Sequence, residues 1–149
     1  MDPEQALHLA ASLCRRFEGL YTRPYLCPAG VPTIGYGTTY YEDGRKVSLR
    51  DAPIAASRAN DLLMLQLRTV YMAQVLTLCP GADTSARLAA LVDFAYNLGG
   101  SNLRASTLRR RVNSGDWDAV PPQLMRWTRA AGKELPGLVL RRRAECALV

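Results

Sequence analysis

The segment between residues 17 and 38 constrains the fold most, because it contains four glycines and three prolines. Proline in a helix interior removes a hydrogen bond and clashes with the preceding turn, so this segment cannot form a long helix. Its apolar residues fall between the turn formers. Residues 25–27 and 33–36 therefore predict two short strands, joined by a turn at residues 28–30. A sheet this small needs helices packed against it.

The sequence on both sides of this segment predicts helices. Asp2 can cap a first helix, whose apolar stripe at helical spacing continues until Gly19 interrupts it. A third strand is expected through residues 46–47. A long helix is then expected over residues 51–78, and another over residues 85–98, where a pair of glycines ends it.

The C-terminal third predicts shorter helices, over residues 107–112 and 123–130 and at the end of the chain. In the last helix, leucines are expected to face the core and three consecutive arginines to face solvent. The leucines are Leu138, Leu140 and Leu148, and the arginines are Arg141, Arg142 and Arg143. The predicted fold class is α+β, mostly α-helical.

The charge of the chain is uneven. The net charge is +6, and residues 101–149 hold ten basic and four acidic residues, which accounts for the whole excess. A basic region favours a polyanionic partner, such as nucleic acid, anionic lipid or a bacterial cell wall. A solvated basic face with no specific partner is the alternative. The hydrophobic share of 48% argues against disorder.

The four cysteines are Cys14, Cys27, Cys79 and Cys146, and none forms a C-x-x-C pair. The single histidine, His8, offers no zinc-site spacing. Because two of the cysteines lie on apolar helix faces, buried free thiols are expected at residues 14 and 79. No metal ion or organic cofactor is expected.

The first residues, M-D-P-E-Q, are acidic, and the apolar run after them is interrupted by polar residues. This pattern is typical of neither a signal peptide nor a membrane span. We therefore expect the protein to accumulate in the cytoplasm of the cell that makes it. A target outside the membrane would require another component for access.

Three residues of the turn-rich segment carry a specific spacing. Eight residues separate Glu18 from Cys27, and five separate Cys27 from Thr33, which begins the run T-I-G-Y-G. This pattern resembles the active-site segment of the phage-type lysozymes, glycoside hydrolase family twenty-four. That family carries Glu, then Asp or Cys, then Thr at the same spacing.

Two further segments extend the resemblance across residues 11–145. They are A-L-V-D-F-A-Y-N-L-G-G, at residues 90–100, and the run from Trp127 to Glu145 that contains G-K-x-L-P-G-L-x-x-R-R-x-x-E. The resemblance implies one lysozyme-like domain over residues 1–149, with a cleft between two lobes. The implied parts are a small β lobe at about residues 18–50, a helical lobe at about 1–17 and 80–149, and a connecting helix at about 51–78.

The resemblance also implies an activity. The family hydrolyses the β-1,4 bond between N-acetylmuramic acid and N-acetylglucosamine in peptidoglycan, which needs a proton donor for the leaving oxygen. Glu18 is the expected general acid, because the C-terminal end of a helix favours the protonated carboxyl. Cys27 and Thr33 are expected to position the attacking water, which would invert the anomeric centre. Cys27 as a covalent nucleophile would instead retain the configuration.

Residues for binding follow from the same resemblance. Tyr36, Tyr96 and Asn97 are expected to face the sugar, although Tyr96 could equally be a core aromatic. Arg141, Arg142 and Arg143 are expected to attract the wall. The implied partner is peptidoglycan rather than nucleic acid. We expect a monomer without stable membrane insertion that reaches the periplasm with the help of a holin.

Two other functions stay open at this point. A lytic transglycosylase would cut the same bond with one acid and close an anhydro ring on the product. A non-catalytic module would bind walls or nucleic acid through the basic C-terminal region. The chain lacks a basic stretch interleaved with several aromatic residues, which does not favour single-stranded nucleic acid.

Overall fold

The first helix ends where the sequence predicts. In a computed structural model, which describes residues 1–149, helix α1 spans Pro3–Glu18. The carboxylate of Asp2 accepts a hydrogen bond from the N–H of Glu4 at 3.0 Å and caps the helix. The N–H of Gly19 bonds to the carbonyl of Arg15 at 3.2 Å and closes the last turn. Glu18 is therefore the final residue of a helix that is capped at both ends.

A two-stranded antiparallel hairpin follows α1. Strand β1 spans Tyr21–Leu26 and strand β2 spans Pro32–Gly35, with Tyr25 opposite Thr33. Both predicted strands are present, and β1 begins four residues earlier than expected. An irregularity between Tyr21 and Tyr25 lengthens β1 relative to its partner.

The expected third strand is wrong, because the chain near residues 46–47 forms only an isolated bridge between Tyr40 and Lys46. The side chains in this region instead form a small core behind the hairpin. Its buried members are Ile34, Tyr41, Val47, Ile54, Ala59 and Leu62. This core fixes β2 against the following helix.

The long connecting helix has three parts. Helix α2 spans Ala56–Gln66, a π-helical turn spans Leu67–Tyr71, and helix α3 spans Met72–Leu78. Its end is confirmed, but its predicted start at residue 51 is wrong. The carboxylate of Asp51 accepts a hydrogen bond from the hydroxyl of Tyr41 at 2.7 Å. Asp51 therefore closes the preceding loop and does not begin the helix.

Helix α4, Ser85–Leu98, is the most buried helix, and the hydroxyl of Thr84 caps it. Helices α5, Gly100–Ala105, and α6, Thr107–Asn113, follow it. A short 3-10 turn covers Trp117–Ala119. The predicted positions of α4 and α6 are confirmed.

The region after the 3-10 turn differs from the expected helix over residues 123–130. Helix α7 spans only Val120–Leu124, and its two prolines lie in its first turn, where proline is tolerated. Strands β3, Arg129–Ala130, and β4, Lys133–Glu134, then form a tight hairpin. The two residues between them have positive φ angles, as a two-residue hairpin turn requires.

Helix α8, Pro136–Cys146, is oriented differently from the prediction. Its face toward α1 and α4 carries three buried charged residues, which are Arg141, Arg142 and Glu145. Leu140 is 51% exposed, and Arg143 faces solvent. The prediction of an exposed arginine run is therefore wrong for two of its three members. Carboxyl groups on α1, α4 and α8 itself accept hydrogen bonds from the buried arginines.

The hairpin and the helices contact each other closely at the site. A Cβ atom on Gly35, where φ is +67°, would lie 3.2 Å from the Cβ of Ala59 in α2, so only glycine lets β2 approach the helix this closely. Tyr36 packs against both the small core and the large helical core. None of the helices combines the length and the apolar character needed to cross a membrane.

Candidate active site

Glu18 lies between a guanidinium and a glycine. Nη1 of Arg141 donates a hydrogen bond to its Oε1 at 2.8 Å. On the other side, a Cβ atom on Gly37 would lie 3.0 Å from its Oε2. The side chain of Glu18 is 23% exposed, so the carboxyl is held in place but stays open to solvent. A larger residue at position 37 would displace it.

Arg141 is itself fixed by a second carboxylate. Its Nε and Nη2 donate to the two oxygens of Asp93 at 3.0 and 2.8 Å, which is the two-pronged geometry of a strong ion pair. The thiol of Cys14, one helical turn before Glu18, donates to Asp93 at 3.3 Å. Burial opposes ionisation of Asp93, but the hydrogen bonds and charge of Arg141 outweigh it and hold the pKa of Asp93 below its ordinary value.

This arrangement separates the roles of the two carboxyls. Asp93 is fully buried and stays ionised, and it is the main ion-pair partner of Arg141. Glu18 makes one hydrogen bond with the guanidinium and stays partly exposed to solvent.

A second buried group of charges lies beside the first. Nη2 of Arg142 donates to Oδ1 of Asn97 at 2.7 Å and to Oε1 of Glu145 at 2.8 Å. Arg142 and Glu145 are completely buried. Burial is the largest cause that raises the pKa of Glu145 well above its ordinary value. The neighbouring carboxylate of Asp93 acts in the same direction. Burial therefore favours the protonated form of Glu145 in the folded protein.

The hairpin supplies the other candidate groups. Cys27 follows β1 at the turn, half-buried, with a free thiol. The backbone N–H of Val31 lowers the pKa of Cys27 below its ordinary value, and the N–H groups of Ala29 and Gly30 and the hydroxyl of Thr33 act in the same direction. The hydroxyl of Thr33 donates to the carbonyl of Val31 at 2.8 Å. The turn therefore combines a sulfur of lowered pKa with a hydroxyl held by the backbone.

The three residues predicted to bind sugar, Tyr36, Tyr96 and Asn97, differ in their contacts. The hydroxyl of Tyr96 donates to the carbonyl of Tyr36, which joins α4 to the end of the hairpin. A Cβ on Gly37 would lie 3.2 Å from the same hydroxyl, so Tyr96 lies beside Glu18. The ring of Tyr96 packs edge-on against Tyr71 of the π-helical turn, 5.0 Å away. The amide oxygen of Asn97 is engaged by a buried arginine rather than free for a ligand.

The structure thus brings Glu18, Tyr96 and Arg141 together, and it brings Cys27 and Thr33 together. Arg143 lies apart from both groups, on the solvent face of α8. Sequence reasoning missed Asp93 and Glu145, although two signals were present. Residues 138, 141, 142 and 145 share one face of a helix, and Cys14 is spaced to share a face with Glu18.

Comparisons with known proteins agree with this fold. The family model described as phage lysozyme matches residues 15–145. A SAR-endolysin of Bacteriophage PS119 is 34% identical over 130 residues, which cover 86% of this chain and 73% of the relative. An endolysin of Acyrthosiphon pisum secondary endosymbiont phage 1 is 33% identical over 140 residues, which cover 91% of each chain.

The solved structures give the same result. The endolysin from Escherichia coli O157:H7 phage FAHEc1 superposes with a TM-score of 0.82 at 30% identity, over 94% of this chain and 89% of that one. The fold is that of a lysozyme-like glycosidase with a small sheet and a larger helical part. The chain belongs to the phage lysozyme family, whose endolysins degrade the bacterial cell wall during host lysis. Membership of this family decides against a non-catalytic binding module.

Proposed function

We propose that this protein is a muramidase that hydrolyses the β-1,4 bond between N-acetylmuramic acid and N-acetylglucosamine, with Glu18 as general acid. The observation that carries the proposal is the position of the Glu18 carboxyl. It accepts a hydrogen bond from Arg141, lies close to the backbone of Gly37 and stays open to solvent. A proton donor must be fixed against the glycosidic oxygen and must reload from water between turnovers.

Cys27 and Thr33 are the groups proposed to act on the other reactant. The hydroxyl of Thr33 donates its hydrogen bond to the carbonyl of Val31, and its oxygen can still accept one from water. A sulfur of lowered pKa can orient that water and stabilise the positive charge that develops on the sugar. Water attack opposite the acid inverts the anomeric centre.

The stereochemical outcome tests this assignment of Cys27. NMR of the first-formed sugar anomer is expected to show inversion. A retained anomer would make Cys27 the covalent nucleophile and remove the role proposed for a water held by Thr33.

Substrate contacts are proposed at Tyr36 and Tyr96, which lie where the hairpin meets α4, and at the amide nitrogen of Asn97. Attraction to the wall is assigned to exposed positive charge, since Arg141 and Arg142 are occupied in the interior. Arg143 keeps this role. Other exposed basic residues of the C-terminal third are Arg104, Arg110, Arg111, Arg126, Arg129 and Lys133.

The enzyme is proposed to act as a monomer on peptidoglycan in the periplasm. Passage from the host cytoplasm through a holin stays a prediction. Several relatives, including that of Bacteriophage PS119, carry the name SAR-endolysin, which leaves a membrane-release route as the alternative for this chain.

The deciding experiment compares the parent protein with Glu18→Gln on outer-membrane-permeabilised Gram-negative cells. The amide cannot donate the required proton, so clearing should fall by roughly 10²- to 10⁴-fold while the unfolding temperature stays close to that of the parent. Glu134→Gln is the matched control, because Glu134 is exposed and lies outside the site. Near-normal clearing by Glu18→Gln would refute its role as acid.

Product masses separate hydrolysis from transglycosylation, since an anhydro product is lighter by one water. Hydrolysed products with a reducing muramic acid end are expected. Anhydro products would replace the muramidase proposal with the lytic transglycosylase alternative.

A further inference from the structure

Strand β1 carries two tyrosines whose rings stack on each other outside the protein core. The ring centroids of Tyr21 and Tyr25 are 4.0 Å apart and their planes differ by 27°. Tyr21 is 46% exposed, and neither tyrosine belongs to the large core or the small core. Neither hydroxyl has a hydrogen-bond partner within the protein. The stack therefore presents an open aromatic face with polar edges to solvent.

The register of the hairpin places this stack on the catalytic side. Tyr25 pairs with Thr33, and Tyr21 pairs with Gly35. Directly opposed residues point to the same face of an antiparallel pair, and neighbouring residues along a strand point to opposite faces. Ile34 points into the small core, so Thr33 and Tyr25 lie on the other face. Tyr21 lies beyond the irregularity in β1 and is placed beside Tyr25 by the stacking of their rings.

Both tyrosines adjoin catalytic candidates along the chain. Partial burial raises the pKa of Tyr25, and the charges of Tyr21, Glu18 and Cys27 act in the same direction. Tyr25 precedes Cys27 by two residues at the end of β1. Tyr21 adjoins the residue after Glu18, since a Cβ on Gly19 would lie 3.8 Å from its ring.

A rigid aromatic face of this kind suits a sugar ring. In a β-linked pyranose the axial C–H bonds form an apolar face, while the hydroxyl and acetamido groups project from the rim. Tyrosine offers a large apolar surface at little cost in conformational entropy, together with a hydroxyl for the rim. Stacking between the two rings orders them before the ligand arrives, which reduces the cost of binding.

We propose that Tyr21 and Tyr25 form a platform for one pyranose ring of an N-acetylated hexosamine glycan, next to the bond that is cleaved. The proposal rests on the glycan-cleaving function proposed above and names the residues that determine affinity on the hairpin side. The platform contributes to binding of the strand, and the chemical step stays with Glu18.

The test measures kinetics on soluble peptidoglycan strands with Tyr21→Ala, Tyr21→Phe and Tyr40→Ala. Tyr21→Ala should raise KM by about three- to tenfold with little change in kcat, since an aromatic contact of this kind is worth about 1 kcal/mol. Tyr21→Phe keeps the ring and should restore most of the affinity. Tyr40 is 44% exposed in the same lobe and serves as the control for losing a surface tyrosine.

A second measurement separates the platform from the proposed reaction. Binding of N-acetylglucosamine oligomers is measured by calorimetry with Glu18→Gln and with Glu18→Gln/Tyr21→Ala, neither of which turns the ligand over. Weaker binding by the double variant supports the platform even if the parent protein cleaves nothing. Equal binding by the two variants, absence of binding by both, or an equal KM increase in Tyr21→Ala and Tyr40→Ala would each overturn it.

Discussion

The hairpin half of the candidate site holds Cys27 and Thr33 with backbone groups, whereas the helical half holds Glu18 with buried side chains from α1, α4 and α8. In the hairpin, three N–H groups of one tight turn act on the sulfur. In the helical half, Glu18 depends on Arg141, 123 residues away in sequence, and Arg141 depends in turn on Asp93.

This difference predicts how each half responds to change. Replacing a half-buried group that only the backbone supports should alter the reaction and leave the fold stable. Replacing a member of the buried ion network leaves another charge without a partner in the protein interior, which is costly. The helical half therefore couples catalysis to stability, and the hairpin half separates them.

The largest effect is expected for Arg141→Met. This variant leaves the carboxylate of Asp93 buried without a partner, so the free energy of unfolding should fall by about 3–5 kcal/mol. Urea denaturation measures the loss, and activity should fall with it because Glu18 loses its only guanidinium contact.

Two further variants sharpen this prediction. Arg143 follows Arg141 by two residues and is exposed. Arg143→Gln should therefore change the free energy of unfolding by no more than about 0.5 kcal/mol. Arg141→Met/Asp93→Leu removes both charges and should recover part of the lost stability, as measured by a double-mutant cycle. Equal losses for Arg141→Met and Arg143→Gln would show that the ion network contributes nothing.

The next effect is expected at Cys27. Cys27→Ala should lower the cleavage rate by roughly 10²-fold, a typical loss for a positioned acid–base group, while stability stays near that of the parent. Cys27→Asp should keep activity, and Cys27→Ser should reduce it strongly. Initial rates on peptidoglycan strands measure all three variants.

Cys146→Ala is the matched control, since Cys146 is also a half-buried free thiol but lies against Pro121, away from the site. It should cleave at the parent rate. If Cys27→Ala were equally fast, Cys27 would have a structural role only.

The contrast between the halves also explains what the sequence could predict. Turn formers, helix caps and short-range spacing are local, so α1, both strands of the hairpin and α4 were predicted near their observed positions. Glu18, Cys27 and Thr33 lie within sixteen residues of each other, and their spacing was recognisable for the same reason.

The errors arose where a distant partner decides the outcome. Arginine is normally exposed, so Arg141 and Arg142 were placed on the surface. Their burial depends on Asp93 of α4 and on Glu145 of α8, and Asp93 lies 48 residues before Arg141. Similarly, α2 begins later than predicted, because Asp51 accepts a hydrogen bond from Tyr41 instead of capping the helix. Local propensity carries no information about either contact.

A smaller effect, confined to stability, is expected for Glu145→Gln. Because the pKa of Glu145 is raised in the folded protein, the unfolded chain releases this proton first as pH rises above about 4.3, and stability falls from there. The amide has no proton to lose and its oxygen can still accept from Arg142. The unfolding temperature of the variant should therefore gain on that of the parent between pH 5 and pH 8. Parallel curves would show that Glu145 is ionised in the folded protein.

The smallest effect is expected at the exposed arginine of α8. Arg143→Gln should weaken binding to whole walls by no more than about twofold at 0.15 M ionic strength, where charges are screened over about 8 Å. Cosedimentation with walls at several salt concentrations measures this change, and the rate on short oligosaccharides should not change. Glu134→Gln, which removes a nearby negative charge, should act in the opposite direction. If Arg143→Gln slowed cleavage of short oligosaccharides as well, Arg143 would belong with the buried network that supports Glu18, and the division between the surface and the interior of α8 would fail.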